Sequence, residues 1–265
     1  MPSLTLPGGA RVAFGDAGAG RPLVLVHGSP AEGRAWGRVA RHLADFRVLT
    51  PDLPGYGGSE ALSDSAGTAA MARAVAAVIE TVAEPVWLAG HSYGGNVALH
   101  AALATRTRIK GLVLFEPVFF RALALSGERV HLDAAADHFT DYVRRVESGD
   151  HAAVDRMVAF WFGAGAFERL PAPVRAYLEN AAPRNAADVK AAFAESLSAA
   201  DLARLDVPVL VGYGAASPAV VPAIATALAG LLPDAATAPI ADATHAMLDT
   251  HPEAVAGLIR SHAAR

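Results

Sequence analysis

The sequence predicts an α/β fold, with a mostly parallel central sheet and helices on both of its faces. Short apolar runs that favour β-strands alternate along the chain with longer runs of helical periodicity. This alternation is typical of a parallel sheet whose strands are joined by crossover helices. A length of 265 residues with 53% hydrophobic residues suits one large domain with a substantial core.

Eight strands are expected from the apolar runs, beginning with a hairpin. They lie near Thr5, 11–14, 22–27, 46–50, 85–90, 109–115, 207–212 and 235–240. Apolar residues recur at helical spacing in 66–83 and 253–264, and a further helix is expected over 219–231. Pro252 suits the first position of the last helix, where its missing N–H costs nothing.

Only helices are expected in the roughly ninety residues between the strands at 109–115 and 207–212. An ordinary crossover needs a dozen or more residues, so this insertion is much longer than a connection requires. The helices are expected near 131–148, 150–162, 171–181 and 187–200. We interpret 118–200 as a helical cap inserted after the sixth strand, and 1–117 with 201–265 as the core domain.

Aromatic side chains in this insertion are candidates for binding a small-molecule substrate. The candidates are Phe119, Phe120, Phe139 and Trp161, and Phe162 adds further apolar surface. The alternative for each of them is that it only packs the helices of the insertion together.

Residues 90–95 read Gly-His-Ser-Tyr-Gly-Gly and carry the strongest chemical signal of the chain. An apolar run ends directly before them, and a helix-forming run follows. A strand that turns at once into a helix strains the residue at the turn, and small neighbours let the turn close. The Oγ of Ser92 is then exposed, as in a nucleophile elbow. Because an alcohol is a weak nucleophile near neutral pH, Ser92 needs a base within hydrogen-bond reach.

His245 is the candidate base. It lies on the loop after the last expected strand, and the loops that follow parallel strands gather at one edge of the sheet. His251 is the competitor, although its place before Pro252 favours a role at the start of the helix. A structural role is expected for His27 and His91.

Two backbone N–H groups are candidates for an oxyanion hole. The strand near 22–27 runs into His27-Gly28-Ser29-Pro30, so the N–H of Ser29 can point towards the same place as the N–H of Tyr93. A pair of such donors stabilises the negative oxygen of a tetrahedral intermediate.

Four ordered motifs resemble those of the α/β-hydrolase superfamily. They are His-Gly-Ser-Pro at 27–30, Asp-x-x-Gly-x-Gly-x-Ser at 52–59, Gly-His-Ser-Tyr-Gly-Gly at 90–95 and the late His245. The resemblance covers nearly the full length. It implies a nucleophile, histidine and acid triad, and a cap that roofs the active site and sets substrate choice. Dehalogenases and epoxide hydrolases of this fold use an aspartate as nucleophile, whereas position 92 is serine.

The chain departs from this family at the acid. The usual acid follows the strand near 207–212, but no Asp or Glu occurs from 207 to 233, and Ser217 stands at the expected position. Glu116 is the candidate replacement, because it ends the strand at 109–115 and lies at the same edge of the sheet. Some haloalkane dehalogenases and lipases of the superfamily carry their acid after this earlier strand. Asp242, three residues before His245, is the alternative, and a dyad without an acid is the third possibility.

Composition excludes several other classes of function. A net charge of −4 without a cluster of five basic residues argues against a nucleic-acid partner. No cysteine is present, and neither a zinc spacing nor a phosphate-binding Gly-x-x-x-x-Gly-Lys is found, so no metal and no cofactor are expected. The uncharged run 207–233 is broken by prolines and is expected in the core rather than in a membrane. The first residues lack the features of a secretion signal, so a cytoplasmic protein is expected.

The sequence thus predicts a serine hydrolase that cleaves a carboxylic ester or lactone through an acyl-enzyme. Hydrolysis of a carbon–carbon bond, acyl transfer and perhydrolysis use the same residues and remain alternatives, since a fold does not fix the substrate. A receptor or pseudoenzyme that retains the pocket without turnover is the alternative from another class. The oligomeric state stays open.

Overall fold

A computed structural model describes residues 1–62 and 67–265. Within them, the strands are β1 Ser3–Thr5, β2 Arg11–Ala17, β3 Arg21–Val26, β4 Phe46–Pro51, β5 Val86–His91, β6 Ile109–Phe115, β7 Val209–Gly214 and β8 Ala235–Ile240. They form one sheet in the order β1-β2-β4-β3-β5-β6-β7-β8. β2 pairs antiparallel with β1 and β4, and all other pairings are parallel. The mostly parallel sheet is confirmed.

Helices cover both faces of this sheet. Within the same residues they are α1 Gly37–Ala40, α2 Gly67–Glu80, α3 Tyr93–Ala104, α4 Arg121–Ser126, α5 Arg129–Glu147, α6 Val154–Phe162, α7 Ala172–Phe193, α8 Ala199–Leu202, α9 Val220–Leu231, α10 Met247–Thr250 and α11 Pro252–His262. The helix expected over 66–83 is present as α2, and residue 66 itself lies outside the described residues.

The apolar strands separate two hydrophobic cores. Val24 and Leu88 face one core with residues of α2, α3 and α9, whereas Leu25 and Ala89 face the other with residues of α1, α10 and α11. Successive side chains of a strand point to opposite faces, so a strand covered on both sides must be apolar throughout. This explains why β3 and β5 read as continuous apolar runs rather than as alternating ones.

The sheet order determines where a site can form. From β3 the chain first adds β4 on one side and then crosses to β5 on the other side. A crevice opens beyond the carboxyl ends of two strands at such a switch point. The loop after β3 carries 27–30, and Ser92 follows β5 directly, so both lie at this crevice.

The helical segment between β6 and β7 differs in detail from the expectation. Two helices were expected at 171–181 and 187–200, but α7 runs as one helix through Pro183, and α8 forms separately. Pro183 removes one backbone donor, which weakens a helix interior. α7 continues because its alanine-rich sequence favours a helix and because it packs against α2 and α5. The short helix α4 was not expected from the sequence.

Candidate active site

Ser92 lies at a sharp turn between β5 and α3. Its φ of 55° and ψ of −127° are strained for a residue with a side chain. The two flanking glycines permit the turn: a Cβ at Gly90 would collide with the carbonyl of Gly94, and a Cβ at Gly94 would collide with the carbonyl of His27. The geometry is that of a nucleophile elbow.

The side chains of Ser92, His245 and Glu116 form a chain of hydrogen bonds. Ser92 Oγ lies 3.0 Å from His245 Nε2, and His245 Nδ1 lies 2.6 Å from Glu116 Oε2. A carboxylate only accepts, so Nδ1 carries the hydrogen and Nε2 is free to accept the hydroxyl hydrogen of Ser92. The structure therefore brings together the three residues that the sequence singled out.

Glu116 is 1% exposed and has three hydrogen-bond donors. Besides His245, the N–H of Gly214 and the hydroxyl of Ser217 donate to its Oε1, at 2.7 Å and 2.6 Å. Burial alone raises the pKa of Glu116, but these three hydrogen bonds outweigh burial and hold the pKa below its ordinary value. The carboxylate is therefore ionised beside the imidazole. Its φ of 44° is strained, as at Ser92.

The alternative acid, Asp242, is exposed on the loop after β8. Its φ of 56° marks a tight turn. Among the described residues its carboxylate makes no hydrogen bond to His245, whose Nδ1 is bonded to Glu116. The structure therefore does not bring Asp242 to the imidazole.

Two further histidines hold the loops of the site in place. Burial lowers the pKa of His91 to about 3, so its ring is neutral and Nε2 donates to the backbone carbonyl of His245, at 3.1 Å. Burial lowers the pKa of His27 to about 4. The neutral His27 donates from Nδ1 to the carbonyl of Gly28 and accepts the N–H of Leu53 at Nε2. Both make the structural contacts that were expected of them.

Ser29 and Tyr93 line the same cavity as Ser92. Within residues 1–62 and 67–265, their backbone N–H groups donate to no protein acceptor. Both groups are thus available to a ligand beside the Ser92 hydroxyl.

Two cavities meet at Ser92. The inner cavity, of about 30 Å³, is lined mainly by apolar side chains together with Asn185 and Asp188. The outer cavity, of about 580 Å³, contains His245 in its wall and opens towards Arg169 and Asp249. The two cavities share lining from Ser29, Ser92, Met157 and Trp161.

Of the four aromatic candidates for substrate contact, three reach a cavity. Phe120, Phe139 and Trp161 line the inner cavity. Trp161 also stacks on the imidazole of His245, with 4.3 Å between the ring centroids and 16° between the planes. Phe119 is fully buried and lines neither cavity, so its role is packing in the core.

Sequence reasoning missed the polar residues of the inner cavity. Asn185 and Asp188 are buried on α7, one turn apart, and Tyr56 reaches them from the loop after β4. Two polar residues three positions apart on an alanine-rich helix were the available signal, because residues at this spacing share one face.

The chain belongs to the alpha/beta hydrolase family, which it matches over residues 23–258. It is 34% identical to lipase LipV of Mycobacterium tuberculosis over 148 residues, which span 54% of this chain and only 54% of the lipase. It is 27% identical to the pimeloyl-(acyl-carrier protein) methyl ester esterase of Serratia marcescens over 91% of this chain and 93% of that enzyme. A thermophilic esterase from Thermogutta terrifontis superimposes with a TM-score of 0.75 at 28% identity, over 99% of this chain and 96% of that one.

Within residues 1–62 and 67–265, no helix is both long enough and apolar enough to span a bilayer. No group of three or more metal-binding side chains is found in the same residues.

Proposed function

We propose that this hydrolase is a serine hydrolase that cleaves a carboxylic ester or lactone through an acyl-enzyme. The observation that carries the proposal is the chain of hydrogen bonds from Ser92 through His245 to the buried carboxylate of Glu116. A nucleophile, a base within reach and a third group that orients the base are what nucleophilic catalysis by serine requires.

In the first step, His245 Nε2 takes the hydroxyl proton as Ser92 Oγ attacks the carbonyl carbon. Glu116 keeps the hydrogen on Nδ1, so that Nε2 is the basic nitrogen, and its negative charge stabilises the imidazolium that forms. The strained backbone of Ser92 holds the Oγ at the junction of the two cavities.

The carbonyl oxygen becomes negatively charged during this attack. We assign its stabilisation to the backbone N–H groups of Ser29 and Tyr93, which have no protein acceptor among the described residues. Loss of one such donor typically costs about 10²–10³ in turnover.

His245 then donates its proton to the leaving oxygen. Because His245 lies in the wall of the outer cavity, the leaving group belongs in that cavity. Water enters from the same side and gives a proton to His245 as its oxygen attacks the acyl carbon. The bond to Ser92 Oγ then breaks, and His245 returns the proton to Oγ as the acid leaves. We propose that residues 118–200 act as a cap over both cavities, since Met157 and Trp161 of α6 line both.

An ester is the favoured substrate over the alternatives. The methyl ester esterase and the thermophilic esterase named above are similar to this chain over most of its length, which supports the ester class. The hydrogen bond between Glu116 and His245 gives the imidazole the acid that a non-catalytic receptor would not need.

Hydrolysis of short aryl esters tests the proposal. We expect the wild type to hydrolyse phenyl acetate and Ser92→Ala to lose the activity while its thermal unfolding is unchanged. Ser261→Ala is the matched control, because Ser261 is exposed on α11, remote from both cavities, and its removal leaves the rate unchanged. Retained hydrolysis in Ser92→Ala would exclude Ser92 as the nucleophile.

A further inference from the structure

A directed series of hydrogen bonds ends on Asp188 at the inner cavity. Tyr142 donates to Asn185 Oδ1 at 2.7 Å, and Asn185 Nδ2 donates to Ser29 Oγ at 3.0 Å. Ser29 and Tyr56 are joined at 2.9 Å, and Tyr56 donates to Asp188 Oδ2 at 2.5 Å. Since the Tyr56 hydrogen is directed to the carboxylate, Ser29 donates to Tyr56. Every bond thus points towards Asp188.

The carboxylate of Asp188 is buried, and burial disfavours its charged form. Asp188 is 4% exposed, and burial raises its pKa, against the hydrogen bond from Tyr56, the nearby hydroxyl of Ser29 and the positive charge of Arg184. The guanidinium of Arg184 lies 5.3 Å from the ring centroid of Tyr56 and donates to the carbonyl of Pro54. Arg184 therefore balances charge nearby without a direct bond to the carboxylate.

Tyr56 donates to one oxygen of Asp188, Oδ2. Of the residues that the structure describes, none donates a hydrogen bond to Oδ1, while Asp188 forms part of the wall of the inner cavity. An acceptor in a cavity wall that receives no protein hydrogen bond is suited to a ligand that brings a donor.

The reaction geometry determines which part of a substrate enters this cavity. The leaving group must lie beside His245 to receive its proton, and His245 borders only the outer cavity. The acyl group extends from the same carbonyl carbon in another direction. On the proposed function, the inner cavity therefore receives the acyl group.

The size and lining of the inner cavity restrict that acyl group. A volume of about 30 Å³ holds roughly two or three water-sized groups beyond the carbonyl carbon. Val118, Phe120 and Phe139 provide apolar contact, and Asp188 provides an acceptor.

We infer that the enzyme prefers short acyl groups of about three carbons that carry a hydroxyl group, and that Asp188 accepts the hydrogen bond of this hydroxyl. A neutral hydroxyl is favoured over an ammonium group because Arg184 already supplies the positive charge near Asp188. This inference rests on the proposed function and adds the substrate class of the same site.

A purely structural role would explain part of the hydrogen-bond series. Tyr56 and Ser29 belong to core loops and Asn185 to α7, so their bonds fasten the helical segment to the core. Such a fastening does not require a carboxylate in the wall of the inner cavity. A change in acyl preference is therefore the readout that separates the two roles.

The test compares phenyl esters that differ only in the hydroxyl. The pairs are 2-hydroxypropanoate with propanoate and 3-hydroxypropanoate with propanoate, with each rate corrected for the hydroxide reactivity of the ester. For at least one pair we expect wild-type kcat/KM to favour the hydroxy ester by about tenfold to hundredfold, the range for a hydrogen bond to a charged group. Equal values for both pairs would overturn the inference.

Asp188→Asn should reduce this preference to within about threefold, and the readout is the ratio of kcat/KM within each pair rather than the absolute rate. Glu179→Gln is the matched control, since it removes a carboxylate from α7 away from both cavities, and it should keep the preference. A preference that persists in Asp188→Asn would overturn the role of Asp188. A higher kcat/KM for phenyl 2-aminopropanoate than for the hydroxy ester would overturn the choice of hydroxyl.

If Asp188→Asn fails to fold, the wild-type enzyme alone can still test the inference. Phenyl 2-methoxypropanoate lacks the donor and should react no faster than the propanoate. A methoxy ester that matches the hydroxy ester would contradict a bond to Asp188. Hydrolysis of all the esters without discrimination refutes only the acyl preference, whereas hydrolysis of none refutes the proposed function as well.

Discussion

Ser217 donates a hydrogen bond to Glu116, with 2.6 Å between Ser217 Oγ and Glu116 Oε1. Ser217 follows β7, where members of this family usually carry the acid, and Glu116 follows the neighbouring strand β6. The other oxygen of Glu116 lies 2.6 Å from His245 Nδ1. Ser217, at the usual position of the acid, thus stabilises the carboxylate of Glu116, which follows the neighbouring strand.

Glu116→Gln should lower kcat/KM for aryl esters by about 10²–10⁴. The amide no longer fixes the hydrogen on Nδ1 of His245 or stabilises the imidazolium, and the equivalent change in a serine protease costs about 10⁴ in turnover. Steady-state kinetics checks this. Asp242→Asn is the control, since Asp242 is exposed and not bonded to His245, and it should cost less than threefold. The reverse order of effects would refute Glu116 as the acid.

Returning the acid to the usual position should restore part of the activity. In Glu116→Gln combined with Ser217→Asp, the new carboxylate lies on the loop after β7, and we expect kcat/KM about tenfold above that of Glu116→Gln alone. Ser217→Asp in the presence of Glu116 should instead lower activity, because two carboxylates then compete within hydrogen-bond distance. A double variant no better than Glu116→Gln would show that position 217 cannot reach His245.

Trp161→Ala should lower kcat/KM by about twofold to tenfold. The indole of Trp161 stacks on the imidazole of His245, and aromatic contacts of this kind contribute about 0.5–1.5 kcal/mol. Trp161→Phe retains a ring and should lose less. The labelling rate with a fluorophosphonate and the ester kinetics should fall together. Full activity in Trp161→Ala would mean that the stack does not position the base.

Stability should fall with acid because His27 is buried in its neutral form. Burial lowers the pKa of His27 to about 4 in the folded state, against 6.5 for the ordinary group. Between these two pH values the unfolded chain therefore binds more protons than the folded chain. The stability that depends on neutral His27 is fully present above pH 6.5 and is lost as the pH falls towards 4. The loss amounts to roughly 2 kcal/mol between pH 7 and pH 5.

Urea unfolding of His27→Gln at both pH values measures this contribution. The variant should be less stable at pH 7 but should lose roughly 2 kcal/mol less on acidification than the wild type. His42→Gln, at an exposed histidine, is the matched control and should keep the wild-type dependence. An unchanged dependence in His27→Gln would show that His27 does not carry this linkage.

The strand ends were predictable because their signals are local. The apolar run of β5, the glycines around Ser92 and the helical pattern of α3 lie within some twenty residues, and parallel topology then gathers the loops at one edge. The same logic brought Glu116 and His245 together, although they are 129 residues apart. Their catalytic roles remain predictions that the experiments above address.

The inner cavity could not be predicted in the same way. Tyr56 and Asp188 meet across 132 residues; Tyr56 is a variable position of the motif at 52–59, and Asp188 belongs to no motif. Their contact depends on how α7 packs over the core, and hence on α7 continuing through Pro183, where the sequence favoured two helices. Side-chain packing of this kind leaves no periodic pattern in one sequence, so the sequence could not decide whether Phe119 contacts substrate or packs in the core.

Covalent labelling of Ser92 tests the central claim most directly. The wild type is treated with a fluorophosphonate, digested and mapped by mass spectrometry. We predict one adduct, on the Ser92 hydroxyl, with a labelling rate that falls in Glu116→Gln and a signal that disappears in Ser92→Ala. An adduct on another residue, or an unlabelled wild type that still hydrolyses aryl esters, would contradict the assignment of Ser92 as the nucleophile.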